Sequence, residues 1–423
     1  RSLHTSPKNS QSAKCNNFQH SAIFSRLLHI FAHENSYKFV DMRRTILSLL
    51  LLCLAITGYA QADGFNLIVV GDPQPQTEEQ FDRLEKDIFP HIATIVEEYR
   101  ATGYPTAIYL TGDNVWDTLD LMPRLKGLFD TLGIPVLTVI GNHDHDRTTV
   151  GDKAAAVARY EEVFGPRNYA TQLGKTLFLA LDNIDYTSYS DYRIAVDRKQ
   201  LRWLKQTLKQ SADIEHIAIL MHAPAYNYRT DSPNDYARKI LRRTKGYKVD
   251  FITGHRHLNS TADIAPEIIE HSVAQVGGNL WFAPMCPDGT PHSVLTIEER
   301  NGEWSWRYRL LGESAEKQIM IVEDSADEVV IRIVGWDKKW SVEWAENGKD
   351  MGAMARTDMV DPDYRYYVEN EANYNDSVMG HLRRKLISFP HYYRLKRTTE
   401  NSEITITATD RFGRKYTIKS EKR

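Results

Sequence analysis

Cysteine is scarce in this chain: Cys15, Cys53 and Cys286 are the only thiols among 423 residues, too few for a disulfide framework or a thiolate metal site. Long apolar runs are scarce too. The one such stretch, Ile46 to Thr57, is about half of the ~20 apolar residues that a membrane-spanning helix needs. No block of basic residues marks a nucleic-acid groove. With 42% apolar and 26% charged residues, the composition excludes collagen-like, disordered and multi-span membrane chains.

What is present begins with a leader-like pattern. Met42, Arg43 and Arg44 precede the apolar run, and Ala60, Gln61 and Ala62 follow it, which is the order of a secretory signal peptide. Residues 42–62 are therefore read as an export signal. The mature chain is expected in the periplasm or outside the cell, with no transmembrane span. Residues 1–41, rich in Ser, His and Asn, are read as a non-native or disordered extension. Cys15 and Cys53 fall in these leading segments and leave Cys286 alone. Without residues 1–60 the chain loses seven Lys/Arg and two Asp/Glu and stands at a net charge of −8. A polyanionic substrate then needs a local source of positive charge, which bound metal can supply.

From residue 65 short apolar runs alternate with longer amphipathic segments, the pattern of an α/β domain. The runs begin at Phe65, Ala107, Pro135, Thr176, Ile217 and Val249. Helices are expected over Thr77–Thr102, Thr118–Leu132 and Asp197–Gln210, the first opened by a capping box of Thr77 and Gln80. Polar motifs follow five of the strands: Gly71-Asp72-Pro73-Gln74, Gly112-Asp113-Asn114, Gly141-Asn142-His143-Asp144, His222, and Gly254-His255-Arg256-His257. The carboxyl ends of strands in an open α/β sheet line one crevice, so these residues converge there. Asp72, Gln74, Asp113, Asn142, His222, His255 and His257 are oxygen and imidazole donors without a thiolate. That set favours Mn, Fe, Zn or Mg, and seven donors exceed the needs of one tetrahedral ion. Two ions sharing a carboxylate suit phosphoester hydrolysis.

In this order the motifs resemble those of the calcineurin-like metallophosphoesterases, over roughly residues 65 to 300. The resemblance implies a β-sandwich flanked by helices with a dinuclear centre at its rim. It implies Asp72, Gln74 and His257 as ligands of the first metal, Asn142, His222 and His255 as ligands of the second, and Asp113 as the bridge. His143 corresponds to the family's histidine that contacts the phosphoryl group and protonates the leaving oxygen, with Asp144 expected to orient it and a hydroxide between the metals as nucleophile. Arg256 and Asn114 are the expected substrate contacts. Gln74 departs from the usual histidine, and a harder ion such as Mn is favoured for that reason. Trp116 stands where a tyrosine ligand would be needed for a ferric tyrosinate centre, so none is expected. His91, His216, His271 and His292 lie outside any motif and are read as surface or structural, and Asp117 and Asn183 as loop-shaping.

After about residue 315 strand-length alternation continues without helix-length spacers, beginning at Glu328, Trp340, Ser402 and Arg414, with Asn347-Gly348 as a tight hairpin. The fold expected is thus a catalytic α/β domain over 63–315 followed by a small all-β domain over 316–423, the latter resembling the C-terminal domain of exported bacterial members of the family. The tyrosine-rich stretch Tyr364 to Tyr393 either packs that module or offers a stacking surface at the mouth of the site. The function expected is hydrolysis of a small-molecule phosphate ester, with loops Asp146–Lys153 and Tyr226–Asp235 setting specificity. The rival is a non-catalytic binding or scaffold protein that retains the phosphoesterase shell.

Overall fold

The computed structural model describes residues 64–149, 151–228 and 230–420. The export signal and the leading extension read from the sequence lie outside the described residues. Among the described residues no helix is long and apolar enough to cross a membrane.

Two sheets face each other. One has five strands in the spatial order Glu303–Leu310, Ser293–Arg300, Gly64–Val70, Thr106–Leu110, Val136–Thr138. The other has six, in the order Ser260–Ala265, Ile268–Ser272, Lys248–Thr253, His216–Leu220, Thr176–Ala180, Tyr169–Leu173. The strands next to the polar motifs pair in parallel within each sheet, and antiparallel strands close both edges of the six-stranded sheet and one edge of the five-stranded one. Parallel strands covered on both faces read as unbroken apolar runs, and Gly64–Val70 is buried along its whole length. Its alternate residues serve two cores. Phe65, Leu67 and Val69 point into the space between the sheets, where Phe65 meets Phe178 and Trp304 edge-on at 5.4 and 5.7 Å. Ile68 and Val70 point outward, under Phe81, Leu84, Ile92 and Val96 of the helical layer. Leu201 and Leu204 of helix Arg198–Gln210, capped by Asp197, cover the outer face of the second sheet.

The first helical segment departs from the expected continuous helix. It runs as Glu78–Arg83, a π-type turn Leu84–Ile88, and Phe89–Arg100, because Pro90 has no N–H to donate and the ladder must restart around it. Thr77 caps it as expected, but Gln80 reaches the N–H of Gln76 at 2.7 Å rather than that of Thr77.

The C-terminal region is strand-rich. Sheets Ile319–Asp324, Glu328–Ile333, Phe389–Lys396, Ala355–Met359 and Lys349–Ala353, Ser341–Glu346, Ile404–Thr409, Lys415–Lys419 enclose a core of Val329, Ile331, Val342, Ile404 and Ile406. Asn347 and Gly348 take φ of 50° and 80°, the left-handed pair a two-residue hairpin demands. The tyrosine-rich stretch is partly helical, with Pro362–Tyr366, a π-type turn Tyr367–Glu371 and Asp376–Arg384. Tyr364, Val368, Met379 and Leu382 bury this insert against Phe282, Ala283 and Met285.

Candidate metal centre

The parallel strands of both sheets end at one rim, and five of them deliver the site. Gly64–Val70 leads to Asp72 and Gln74, Thr106–Leu110 to Asp113, Val136–Thr138 to Asn142 and His143, His216–Leu220 to His222, and Lys248–Thr253 to His255 and His257. Asp72, Gln74, Asp113, His255 and His257 all hold positive φ, between 34° and 67°. Non-glycine residues adopt that region at a cost of about 1–3 kcal/mol each, and such strain concentrates where geometry serves function. Gly254 is needed for closeness: a Cβ there would lie 2.0 Å from Asp72 Oδ1 and 2.3 Å from Thr111 Oγ1.

The structure brings all seven expected donors together. His222 Nε2 lies 3.0 Å from Asn142 Oδ1, 3.1 Å from His255 Nδ1 and 3.4 Å from Asp113 Oδ2. Its Nδ1 faces the Thr111 carbonyl at 2.9 Å, so Nδ1 carries the hydrogen and Nε2 turns to the cluster, the orientation that fixes a metal-binding histidine. His257 Nε2 stands 3.2 Å from Asp72 Oδ2. Asp72 accepts from Thr111 Oγ1 at 2.6 Å and from the His255 N–H at 2.7 Å. Gln74 Nε2 donates to Asp113 Oδ2 at 2.9 Å, and Asp113 Oδ1 accepts the His143 N–H at 2.8 Å. One triad of donor atoms, from Asp113, His222 and His255, lies mutually within 4.8 Å.

The donor set fits a cation. Asp72 and Asp113 are 0% and 2% exposed, yet neither forms an ion pair with Lys or Arg among the described residues. Buried carboxylates require compensating charge. Gln74 Oε1 is buried without a hydrogen-bond partner, leaving an oxygen free for an ion. Burial works against a charged His222, but the Asp113 carboxylate outweighs it and raises the imidazole to about 9. Burial, and then the His222 charge, push His255 down to about 3. Asp113 is held low despite its burial by His222 and His143.

His143 sits at the edge of the cluster, 22% exposed, with Nδ1 2.9 Å from Asp117 Oδ1. Asp117 is in turn bonded to Arg147 at 2.5 Å. Burial lowers the basicity of His143, and the neighbouring Asp113 and Asp117 carboxylates reverse this, so its net shift is upward. Its Nε2 has no hydrogen-bond partner among the described residues.

Three expectations are corrected. Asp144 does not orient His143. Its carboxylate accepts from Asn114 Nδ2, the Gly141 N–H and the Val115 N–H at 2.9, 2.8 and 3.1 Å, tying two rim loops together beneath the site. Burial and the Asp113 charge raise its pKa to about 6. Asn114 is fully buried, donating to Asp144 and Val139 and accepting from Thr138, and so has no surface for substrate. Arg256 donates to the Tyr226 carbonyl at 2.8 Å and lies 4.4 Å above the Tyr228 ring. It faces a cavity of about 770 Å³ shared with Trp336 and Tyr393 rather than the donor cluster.

Sequence reasoning missed Asp117 as the partner of His143, although it lies only four residues beyond Asp113, and missed Thr111 as the anchor of Asp72. Elsewhere His216 and His271 flank Asp250, each 2.6 Å from one of its oxygens, in the interior between the sheets.

Residues 65–259 match the family model of the calcineurin-like phosphoesterases, and residues 270–416 match that of their C-terminal domain. Among solved structures, a purple acid phosphatase from yellow lupin (Lupinus luteus) is 14% identical, covering 59% of this chain and 52% of its own, with a TM-score of 0.43. A 5'-nucleotidase from Candida albicans is 12% identical over 59% of this chain and 52% of its own, TM-score 0.35. An NAD nucleotidase from Haemophilus influenzae is 10% identical over 76% and 59%, TM-score 0.35. The chain thus spans about half the length of the first two. No curated protein matches it in sequence.

Proposed function

Because the chain belongs to the calcineurin-like phosphoesterase family, we propose that it hydrolyses a small-molecule phosphate ester at this rim with the help of two divalent cations. Asp72, Gln74 and His257 would hold one, Asn142, His222 and His255 the other, and Asp113 would contribute to both. The observation that carries this reading is the pair of buried carboxylates without a Lys or Arg partner among the described residues, beside Gln74 Oε1, which has no hydrogen-bond partner among them. When bound, the cations supply an activated water and neutralise charge on the phosphoryl oxygens.

The chain's own residues do the rest. Asp117 fixes the His143 ring through Nδ1, which leaves Nε2 to give its proton to the leaving oxygen. The water oxygen bonds to phosphorus as its proton passes to solvent, the P–O ester bond breaks, and the ester oxygen departs as the alcohol with the proton from His143, which solvent then reprotonates. Asp144 keeps the two loops carrying Asp113 and His143 in register. The amide oxygen of Gln74 is a harder donor than imidazole, which favours Mn at the first position. The signal-like segment 42–62 supports export, with the mature protein acting outside the cytoplasm; N-terminal sequencing of the natural protein checks this, expected to begin near residue 63.

The test is hydrolysis of nitrophenyl phosphate and bis-nitrophenyl phosphate by the protein with added Mn, Mg or Zn, beside His143→Ala and Asp113→Ala. Metal-dependent turnover lost in both variants is expected, and the preferred ester sets the substrate class. Folded, metal-supplemented protein that turns over neither compound favours the non-catalytic rival.

A further inference from the structure

A row of aromatic rings leads away from His143. Trp116 packs edge-on against the His143 ring with centroids 5.5 Å apart, Phe282 against Trp116 at 6.1 Å, and Tyr374 against Phe282 at 5.4 Å. Trp116 and Phe282 are half-buried and Tyr374 is 41% exposed. The row crosses from the catalytic sandwich to the helical insert of the C-terminal region, because Tyr374 lies one residue before Asn375, the N-cap of helix Asp376–Arg384.

The segment that carries Phe282 is strained. Leu280 and Trp281 are consecutive bulky residues with φ of 53° and 63°, a conformation that persists only where surroundings over-determine it. The surroundings do so here. Leu280 N–H donates to Gln275 Oε1 at 2.7 Å, and Trp281 Nε1 donates to the Pro73 carbonyl at 3.0 Å. Arg83 holds the Trp281 carbonyl at 3.1 Å, and the Tyr367 hydroxyl holds the Phe282 carbonyl at 2.8 Å. The last contact comes from the C-terminal insert, and the Pro73 contact falls between Asp72 and Gln74. A segment strained and fastened on these sides projects Phe282 beside the ring that touches His143. Packing alone does not account for Tyr374, which leaves much of its surface in solvent.

We propose that Trp116, Phe282 and Tyr374 form the subsite for the leaving group, and that the preferred substrates are phosphate esters of alcohols bearing an extended planar ring. This rests on the hydrolytic reading above, since it places the departing alcohol next to the histidine that protonates it. Trp116 meets the part of the ring nearest the ester oxygen and Tyr374 the far edge, so the C-terminal region contributes to specificity as well as to packing. Aromatic contacts contribute about 0.5–1.5 kcal/mol beyond area burial, which corresponds to roughly a two- to thirteenfold preference.

The experiment compares kcat/KM for 2-naphthyl phosphate, phenyl phosphate and glycerol phosphate in the Mn-supplemented protein, in Tyr374→Ala, in Phe282→Ala and in the conservative Tyr374→Phe. The two aryl alcohols are similar in acidity and differ in ring area, which isolates stacking from leaving-group reactivity. The unaltered protein is expected to prefer the naphthyl ester. Tyr374→Ala should lower kcat/KM for it roughly two- to thirteenfold more than for glycerol phosphate, and Tyr374→Phe should retain the preference. Equal loss on all three esters in both alanine variants, or no loss on any, overturns the subsite while the hydrolytic reading stands. An unaltered protein that turns over none of the esters overturns both.

Discussion

Gly254 offers the sharpest structural perturbation of the site. Its φ is not in the left-handed region, so alanine is excluded there by space alone. The added methyl would sit 2.0 Å from Asp72 Oδ1 and 2.3 Å from Thr111 Oγ1, where ordinary contact needs about 3.4 Å or more. The Asp72 carboxylate must retreat by more than an ångström. Doing so breaks its bonds from Thr111 at 2.6 Å and from the His255 N–H at 2.7 Å. Hydrogen bonds to a charged group contribute about 1.5–3 kcal/mol each, which puts Gly254→Ala at about 4 kcal/mol of lost stability. In a chain of this size each kcal/mol moves Tm by roughly 1–2 °C, so a drop of about 5 °C is expected. The control is Gly127→Ala, in helix Met122–Asp130, where a Cβ meets nothing within 4 Å and helix propensity adds up to about 1 kcal/mol. Thermal melts of the chelated proteins give the comparison, and activity with added Mn should fall with Gly254→Ala only. A Gly254→Ala protein that melts with the unaltered chain and keeps its activity refutes the packing argument for the Asp72 position.

Asp117→Asn removes the charge that fixes His143 while preserving an acceptor. The kcat for phenyl phosphate should fall about 10–100-fold, with far less loss for nitrophenyl phosphate, whose leaving oxygen needs little protonation; equal losses on both would argue for a purely structural role. Glu270 is buried and accepts the Ala225 and Tyr226 N–H groups at 2.6 and 2.8 Å, and burial raises it from 4.5 to about 7. A carboxyl that is harder to ionise when folded contributes stability fully present below about pH 4.5 and lost as pH rises through 7, a difference of about 3 kcal/mol. Denaturant titrations of the unaltered protein and Glu270→Gln across that window should therefore converge at low pH and diverge upward in favour of the variant, and parallel pH profiles would contradict the buried-carboxyl account.

The central strands were legible because burial on both faces makes them continuous apolar runs, and the clustering of the polar motifs because each follows such a run at a turn. The strands and their polar ends thus came from local signals, whereas the two-sheet sandwich came from the family resemblance. What was hidden depended on side-chain direction or on tertiary contact. Asn142, His143 and Asp144 form one short 3-10 turn, so neighbours in sequence point to opposite sides: His143 faces outward to Asp117, while Asp144 points down to Asn114. The edge strand Ser260–Ala265 is only partly buried, which blurs its apolar pattern. Phe282 and Tyr374 meet only because the strained segment and the C-terminal insert pack together, and no periodicity announces that.

The most direct measurement is the metal content of the protein after equilibration with Mn and removal of free ion, for the unaltered chain and for Asp113→Ala. The account predicts about two Mn per unaltered chain and one or none in the variant, since Asp113 serves both positions. An unaltered chain that retains no metal, or an Asp113→Ala chain that retains as much as the unaltered one, would contradict it.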